Sequence, residues 1–424
     1  MAGKIRRRRA LLLVIWIWLL CEAGAWATVR TLEGQAISQA MLRSRQVSLA
    51  DQELRARNAG LDARKRTRAD RGLEYRHPYL GFISKSAKER VHNIVRMMDP
   101  ALGDQSSACF QEETFVVGIA GGSVAANLTH AYGAQLLREL EASPLLEGRE
   151  VVLIVLANSG HKQPQALISY LFLDSLGVRF DAIMVLDGFN EIALHVGAAA
   201  KHKMLPVYPR QWVSRLGIGL AEGSLLARFD IEKANQADAA ETVLESPLRR
   251  SWIRQLGWYR SNRVQDERIR ILEEQLETSG EMDVERTGPP RDYTNQEEQF
   301  TDLVNIWTNS SRALFEMCAA SGTLYLHFLQ PNQYVAGSKP MGPKERGIAL
   351  TPGGKYEKRV NKAYPMLQAA GAQLAAEGVL FHDLTDVFAD VQQPLYVDDC
   401  CHVNGMGSTL MGTAMLEALL AAIR

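Results

Sequence analysis

The sequence predicts an α/β protein, a doubly wound parallel sheet with a helical insertion in its middle. Two observations carry that expectation. The runs Phe115–Ala120 and Val151–Ala157, and Phe180–Leu186 apart from Asp181, are unbroken by polar residues, as strands buried on both faces are, where a half-exposed strand would alternate. Each run ends in a turn rich in Gly, Asn or Ser and gives way to a segment with helical periodicity, and three strand-turn-helix units in succession build a parallel sheet.

The chain begins with what reads as an export segment. Lys4 and Arg6 to Arg9 form a basic head, Ala10 to Cys21 an apolar run, and Ala25-Trp26-Ala27 a small-residue cleavage point. Residues 1–27 are therefore expected to be a signal peptide or, counted through Ala27, a signal anchor with the arginines on the cytoplasmic side. The protein would then be periplasmic, tethered to the membrane by this segment, or secreted. Residues 28–75 are polar and Arg-rich with weak helical character from Leu42 to Leu61. They read as a basic helical linker, or as a segment that hugs an anionic membrane surface. The Pro-fixed turn at His77-Pro78-Tyr79 marks the start of the main domain, 76–424.

The 424 residues are 46% hydrophobic and 23% charged, enough for a large core, and 48 basic residues balance 48 acidic ones. That balance gives no footing for broad nucleic-acid binding. Outside the leader, Cys109, Cys318, Cys400 and Cys401 would form two disulfides in an oxidising compartment or remain buried free thiols. Cys400 and Cys401, being neighbours, look poorly placed to bridge each other. No Cys-x-x-Cys pair or His/Cys cluster has zinc spacing, so neither a metal nor a cofactor is expected.

In order, the first strand ends at Gly121-Gly122-Ser123 before a helix through Leu128 to Leu140. A second, Glu150–Ala157, ends in Asn158-Ser159-Gly160-His161 before a helix from Pro164 to Leu176. The third runs into Asp187-Gly188-Phe189-Asn190-Glu191. From about 198 to 300 the pattern lapses into charged amphipathic helices, clearest over Leu225–Leu244 and Trp252–Leu276. The aromatics there (Trp212, Trp252, Trp258, Tyr259) either pack the insertion or line a substrate groove. The core resumes with a helix from Trp307 to Cys318 and the strand Thr323–Leu329. A Gly/Pro-rich loop over 331–354 follows, long enough for a lid. A helix through Gly371 to Glu377, the strand Val379–Asp383, the loop Tyr396–Gly405 and a last helix, Thr409–Ile423, complete the chain.

The turns at the strand ends hold the chemistry, because ligands of open α/β sheets bind at the carboxyl edge. Ser123, lifted on two glycines, is the candidate nucleophile. Asp399 and His402, three residues apart in the last loop, have the spacing for an orienting carboxylate and a general base. The Ser123 N–H, the Gly160 N–H and the Asn190 amide come from three successive strand ends and are candidate oxyanion donors. His161, His327 and Gln330, on neighbouring strand ends, are candidate substrate contacts.

This ordered set resembles the SGNH (GDSL-like) hydrolase family: Gly121-Gly122-Ser123 for its first block, Gly160 for the second, Gly188-Phe189-Asn190-Glu191 for the third, and Asp399 to His402 for the last. The resemblance covers roughly residues 113–424. It implies a flavodoxin-like three-layer α/β/α fold, Ser123 as nucleophile, His402 as base, Asp399 as its orienter, and an oxyanion hole of Ser123, Gly160 and Asn190. Gly122 stands where the family has an acidic residue, and Glu191 where it has aspartate. The function expected is that of an exported serine esterase of SGNH/GDSL type cleaving acyl esters. Its partner would be an ester-bearing small molecule or an acylated polysaccharide, as in deacetylation of an envelope glycan. Alternatives are an O-acyltransferase acting on a glycan and a non-catalytic envelope binding protein.

Overall fold

The computed structural model describes residues 113–196, 203–210, 225–278 and 288–424, with shorter stretches at 16–28, 39, 42–47, 49–50, 74–84, 91–93, 200 and 212. The chain divides into two compact units. One comprises Met1–Gly72 with Leu216–Gly280, the other Leu73–Arg215 with Glu281–Arg424.

The larger unit is built on a six-stranded, all-parallel sheet. A small antiparallel hairpin, β1 (Glu74–His77) and β2 (Gly81–Ser84), precedes it, with the Pro78 turn at its tip. The sheet strands are β3 (Val91–Asn93), β4 (Thr114–Gly121), β5 (Glu150–Val155), β6 (Ala182–Asp187), β7 (Leu324–Leu329) and β8 (Leu380–Asp383). Their spatial order is β3-β5-β4-β6-β7-β8. With the short edge strand β3 set aside, this is the 2-1-3-4-5 order of flavodoxin-like folds, whose switch point lies between β4 and β6. Every residue of β4 and β6 is buried, which is why their sequences are unbroken apolar runs.

Helices cover both faces. After β4 comes α1 (Ser123–Glu141), after β5 α2 (Gln165–Ser175), and after β6 the single turn α3 (Phe189–Ala193). In the smaller unit α4 (Leu225–Glu245) packs on α5 (Trp252–Thr278). Then come α6 (Gln296–Ala320), α7 (Pro343–Ala349), α8 (Lys355–Ala376) and α9 (Gly405–Ile423). Helices α1 and α9 lie together on one face, and α2, α6 and α8 on the other. A Cβ on Gly412 of α9 would stand 2.3 Å from the Tyr132 ring of α1, so that glycine sets how closely the two helices approach. By length and composition α9 could cross a membrane, yet Met411, Met415, Leu416 and Leu419 are buried in the domain core.

Several expectations need revision. Helix α8 starts well before Gly371, and Pro365 lies inside it. The 331–354 segment is not a free lid: Asn332, Gln333 and Ser338 are buried, and it contains α7. Trp258 and Tyr259 are buried in a cluster with Leu42, Ala240 and Val243, and Trp252 packs beside them, so these aromatics serve the packing of the smaller unit. Among the described residues all cysteines are free, Cys318 being fully buried, and Cys109 lies outside the described residues. Most of the 28–75 linker and the basic head before residue 16 also lie outside them.

Candidate active site

The site forms at the carboxyl ends of β4, β5 and β6. Gly121 closes β4 at φ +140°, and a Cβ there would stand 2.1 Å from the Leu186 carbonyl oxygen, so only glycine turns the chain here. Gly122 then caps α1, whose first residue is Ser123. The N–H groups of a helix's first turn have no intrahelical partner and point outward along the positive end of the helix dipole. Ser123 therefore brings both a hydroxyl and an anion-seeking backbone N–H to the rim.

His402 reaches that hydroxyl from the loop before α9, its Nε2 lying 2.7 Å from Ser123 Oγ. Its Nδ1 lies 2.5 Å from Oδ2 of Asp398, not of Asp399. The expected orienter is thus corrected by one position. Asp399 instead accepts the Thr351 hydroxyl at 2.9 Å. The cause is local. Asp398 folds back over its own turn, and its Oδ1 accepts the N–H groups of Cys400, Cys401 and His402 at 3.0, 3.1 and 3.1 Å. A carboxylate held this way has only its second oxygen to offer, and that oxygen faces the imidazole.

Burial, the largest influence, would push the Asp398 carboxyl up. The His402 hydrogen bond and charge, with the backbone donors, outweigh it and leave Asp398 below its ordinary value. Burial likewise pulls His402 down, but the bond and charge of Asp398 win, so the imidazole sits above its usual 6.5. Its side chain is one quarter exposed, open enough for a substrate to reach.

The loop that carries this pair is stapled in place. Val397 N–H donates to the His402 carbonyl and Asn404 N–H to the Leu395 carbonyl, closing it as a small hairpin. Gln333 donates to the Asp398 carbonyl and Asn332 to the Cys400 carbonyl. Beneath, Lys339 and Glu345 form an ion pair at 2.9 Å with both side chains fully buried, and Glu345 also accepts the Leu395 and Tyr396 N–H groups. The 331–354 segment thus supports the histidine loop.

The other candidate donors gather around His161. Asn190 Nδ2 donates to the His161 carbonyl at 2.7 Å and lies against Gly122, whose missing Cβ would stand 2.1 Å from it. The absence of any side chain at 122, the departure from the family pattern, is what gives the Asn190 amide its place beside Ser123. Gly160, left-handed at φ +82°, precedes His161 in the same turn. Glu191 Oε1 accepts Gln163 N–H at 3.0 Å and Oε2 accepts Gly188 N–H at 2.8 Å, tying the β5 turn to the β6 turn. Burial, then the nearby Asp187 charge, push the Glu191 carboxyl up.

Three expected substrate contacts are not offered to solvent. His161 is 2% exposed, and its Nε2 bonds the Phe82 carbonyl. His327 is 0% exposed, bridging Asp187 at 2.9 Å and Ser311 at 2.8 Å. That trio has the residue types of a catalytic relay, but its burial makes it a structural polar core, to which Trp307 Nε1 and Gln163 also donate through Asp187. Gln330 is buried too, against the Cys401 thiol. A residue not foreseen is Arg210, exposed at the rim. Its Cδ would lie 2.8 Å from a Cβ on Gly160, and its charge acts on His402. Cys400, Cys401 and His402 place their ligand atoms within 4.8 Å of one another, a grouping that zinc spacing rules did not flag.

No family model and no curated protein matches the chain. The solved structures that are similar in part include two from Bacteroides species. A GDSL-like lipase from Bacteroides thetaiotaomicron VPI-5482 is 10% identical with a TM-score of 0.34, over 72% of this chain and 88% of that one. A "putative acylhydrolase" from Bacteroides fragilis NCTC 9343 is 10% identical with a TM-score of 0.33, over 73% and 88%. Likenesses that slight carry no weight for function.

Proposed function

We propose that the protein is a serine hydrolase that cleaves acyl esters. One observation carries this: the unbroken relay from Asp398 Oδ2 to His402 Nδ1, and from His402 Nε2 to Ser123 Oγ, at a solvent-reachable strand end. A carboxylate can only accept, so it keeps the ring proton on Nδ1 and leaves Nε2 free to accept from the serine.

In the reaction that follows, His402 takes the Ser123 proton as Oγ attacks the ester carbonyl. The carbonyl oxygen becomes an oxyanion facing the Ser123 N–H, Gly160 and the Asn190 amide. The imidazolium, stabilised by Asp398, gives its proton to the departing alcohol. Water then repeats the cycle on the acyl-enzyme and frees the acid. The order of the motif blocks, similar to that of SGNH hydrolases, supports the same assignment. The basic and apolar N-terminal segment favours an exported enzyme, and an acylated envelope polysaccharide is the substrate class suited to that setting.

A fluorophosphonate probe tests the proposal. The wild type is expected to take one label, at Ser123, and to hydrolyse short p-nitrophenyl esters. Ser123→Ala should lose the label and lower turnover by at least about 10⁴-fold. Undiminished ester hydrolysis by Ser123→Ala would refute it.

A further inference from the structure

The relay leaves two neighbouring thiols unexplained. Cys400 Sγ and Cys401 Sγ face each other at 3.1 Å, Cys400 partly exposed and Cys401 buried. The peptide between them is held at both ends: its carbonyl, that of Cys400, accepts from Asn332, and its N–H, that of Cys401, donates to Asp398 Oδ1. Any chemistry that joins the two sulfurs acts on that peptide, and so on the carboxylate that orients His402.

We propose that Cys400 and Cys401 are a reversible oxidation site, at which a small-molecule disulfide closes a vicinal protein disulfide and disables the relay. The inference rests on the serine-hydrolase assignment for its consequence but not for its chemistry. Cys400, as thiolate, attacks the small disulfide, forming a mixed disulfide and releasing one thiol. Cys401 gives up its proton, attacks the Cys400 sulfur and expels the second thiol. Two protein thiols are oxidised and one disulfide is reduced to two thiols. Neighbouring Cα atoms are about 3.8 Å apart, short of the roughly 4.4–6.8 Å that disulfides usually span. Closing the ring therefore requires the Cys400–Cys401 peptide to turn, which withdraws a donor from Asp398. A bond closed under such constraint is readily reduced again, as a switch requires.

The test uses the full chain in the presence of a chelator, which removes thiol-bound metal as a cause. After oxidised glutathione, the peptide carrying both cysteines should lose two hydrogens and resist alkylation, and a phosphine reductant should restore it. Ester turnover should fall by about 10²-fold and recover on reduction. In Cys400→Ser, turnover at whatever level should no longer respond to the oxidant. The His402 ring-proton resonances, which report the Asp398 bond without turnover, should shift on oxidation only in the wild type. Pairing of either thiol with Cys109 or Cys318, no loss of hydrogens, or a closed disulfide with unchanged resonances and rate would each overturn the proposal. Absence of turnover in the reduced protein before any oxidant is added would count against the hydrolase assignment instead, and the mass and resonance measurements would still decide the thiol chemistry.

Discussion

Replacing Asp398 by Asn isolates what the orienting carboxylate does, because the variant keeps the side chain's shape. In the native loop Oδ1 is committed to three backbone N–H groups, so an asparagine at 398 would keep its oxygen there and turn its NH₂ toward His402. An amide nitrogen cannot accept, so His402 Nδ1 must become the acceptor and the ring proton moves to Nε2. That nitrogen then presents a proton to Ser123 Oγ and cannot act as its base. In serine-histidine-aspartate enzymes a wrong tautomer costs about 10⁴-fold in kcat, which is about 5.4 kcal/mol of barrier. Asp399→Asn changes only the acceptor of the Thr351 hydroxyl and should stay within about twofold of wild type. The assay is initial-rate hydrolysis of p-nitrophenyl acetate alongside the rate of fluorophosphonate labelling, with circular dichroism to confirm folding. If Asp399→Asn proved the more damaging, or Asp398→Asn kept a tenth of the wild-type rate, the relay through Asp398 would be refuted.

Three further outcomes follow from the same geometry. Because His402 must be neutral to accept a proton and its pKa is raised above 6.5, the acid limb of kcat/KM should inflect above pH 6.5 and move down in Asp398→Asn. The His402 contribution to stability moves the opposite way. The His402 contribution is complete below its unfolded value near 6.5 and is lost as pH rises through the raised folded value. The Asp398 contribution is present above its unfolded value near 3.8 and is lost as pH falls through the depressed one, so urea midpoints across both windows check the signs. Gly122→Ala should displace the Asn190 amide, since the new Cβ would meet Nδ2 at 2.1 Å. Its loss should match the roughly 10²–10³-fold expected for Asn190→Ala, and the double variant should lose little more than either single one.

How much of this was legible in the sequence differs from residue to residue. Ser123, Gly160 and Asn190 stand out in the sequence because each closely follows a strand's carboxyl end, and His402 because it lies in the last loop before the terminal helix; a wound sheet brings such segments to one rim. Asp398 was missed because a spacing rule cannot separate adjacent aspartates. What separates them is three backbone donors converging on one carboxylate, a property of the folded turn. His327 looked eligible as a substrate contact because it lies on a neighbouring strand end; only its burial between Asp187 and Ser311 removes it. The Gly/Pro-rich 331–354 loop looked long enough for a lid, while Lys339 and Glu345, far from adjacent in sequence to the histidine loop they brace, bury their charges beneath it.

The sequence by itself determined the parallel sheet, the insertion and the edge at which chemistry is possible, because continuous apolar runs and glycine turns act locally through burial and backbone freedom. Only the tertiary structure decided which carboxylate faces His402, which histidines are sealed away and why residue 122 carries no side chain. The carboxylate is chosen by three backbone donors that converge on it only once its own turn has folded, and the other two choices by hydrogen-bond partners and excluded volume from segments distant in the chain, which no local pattern encodes.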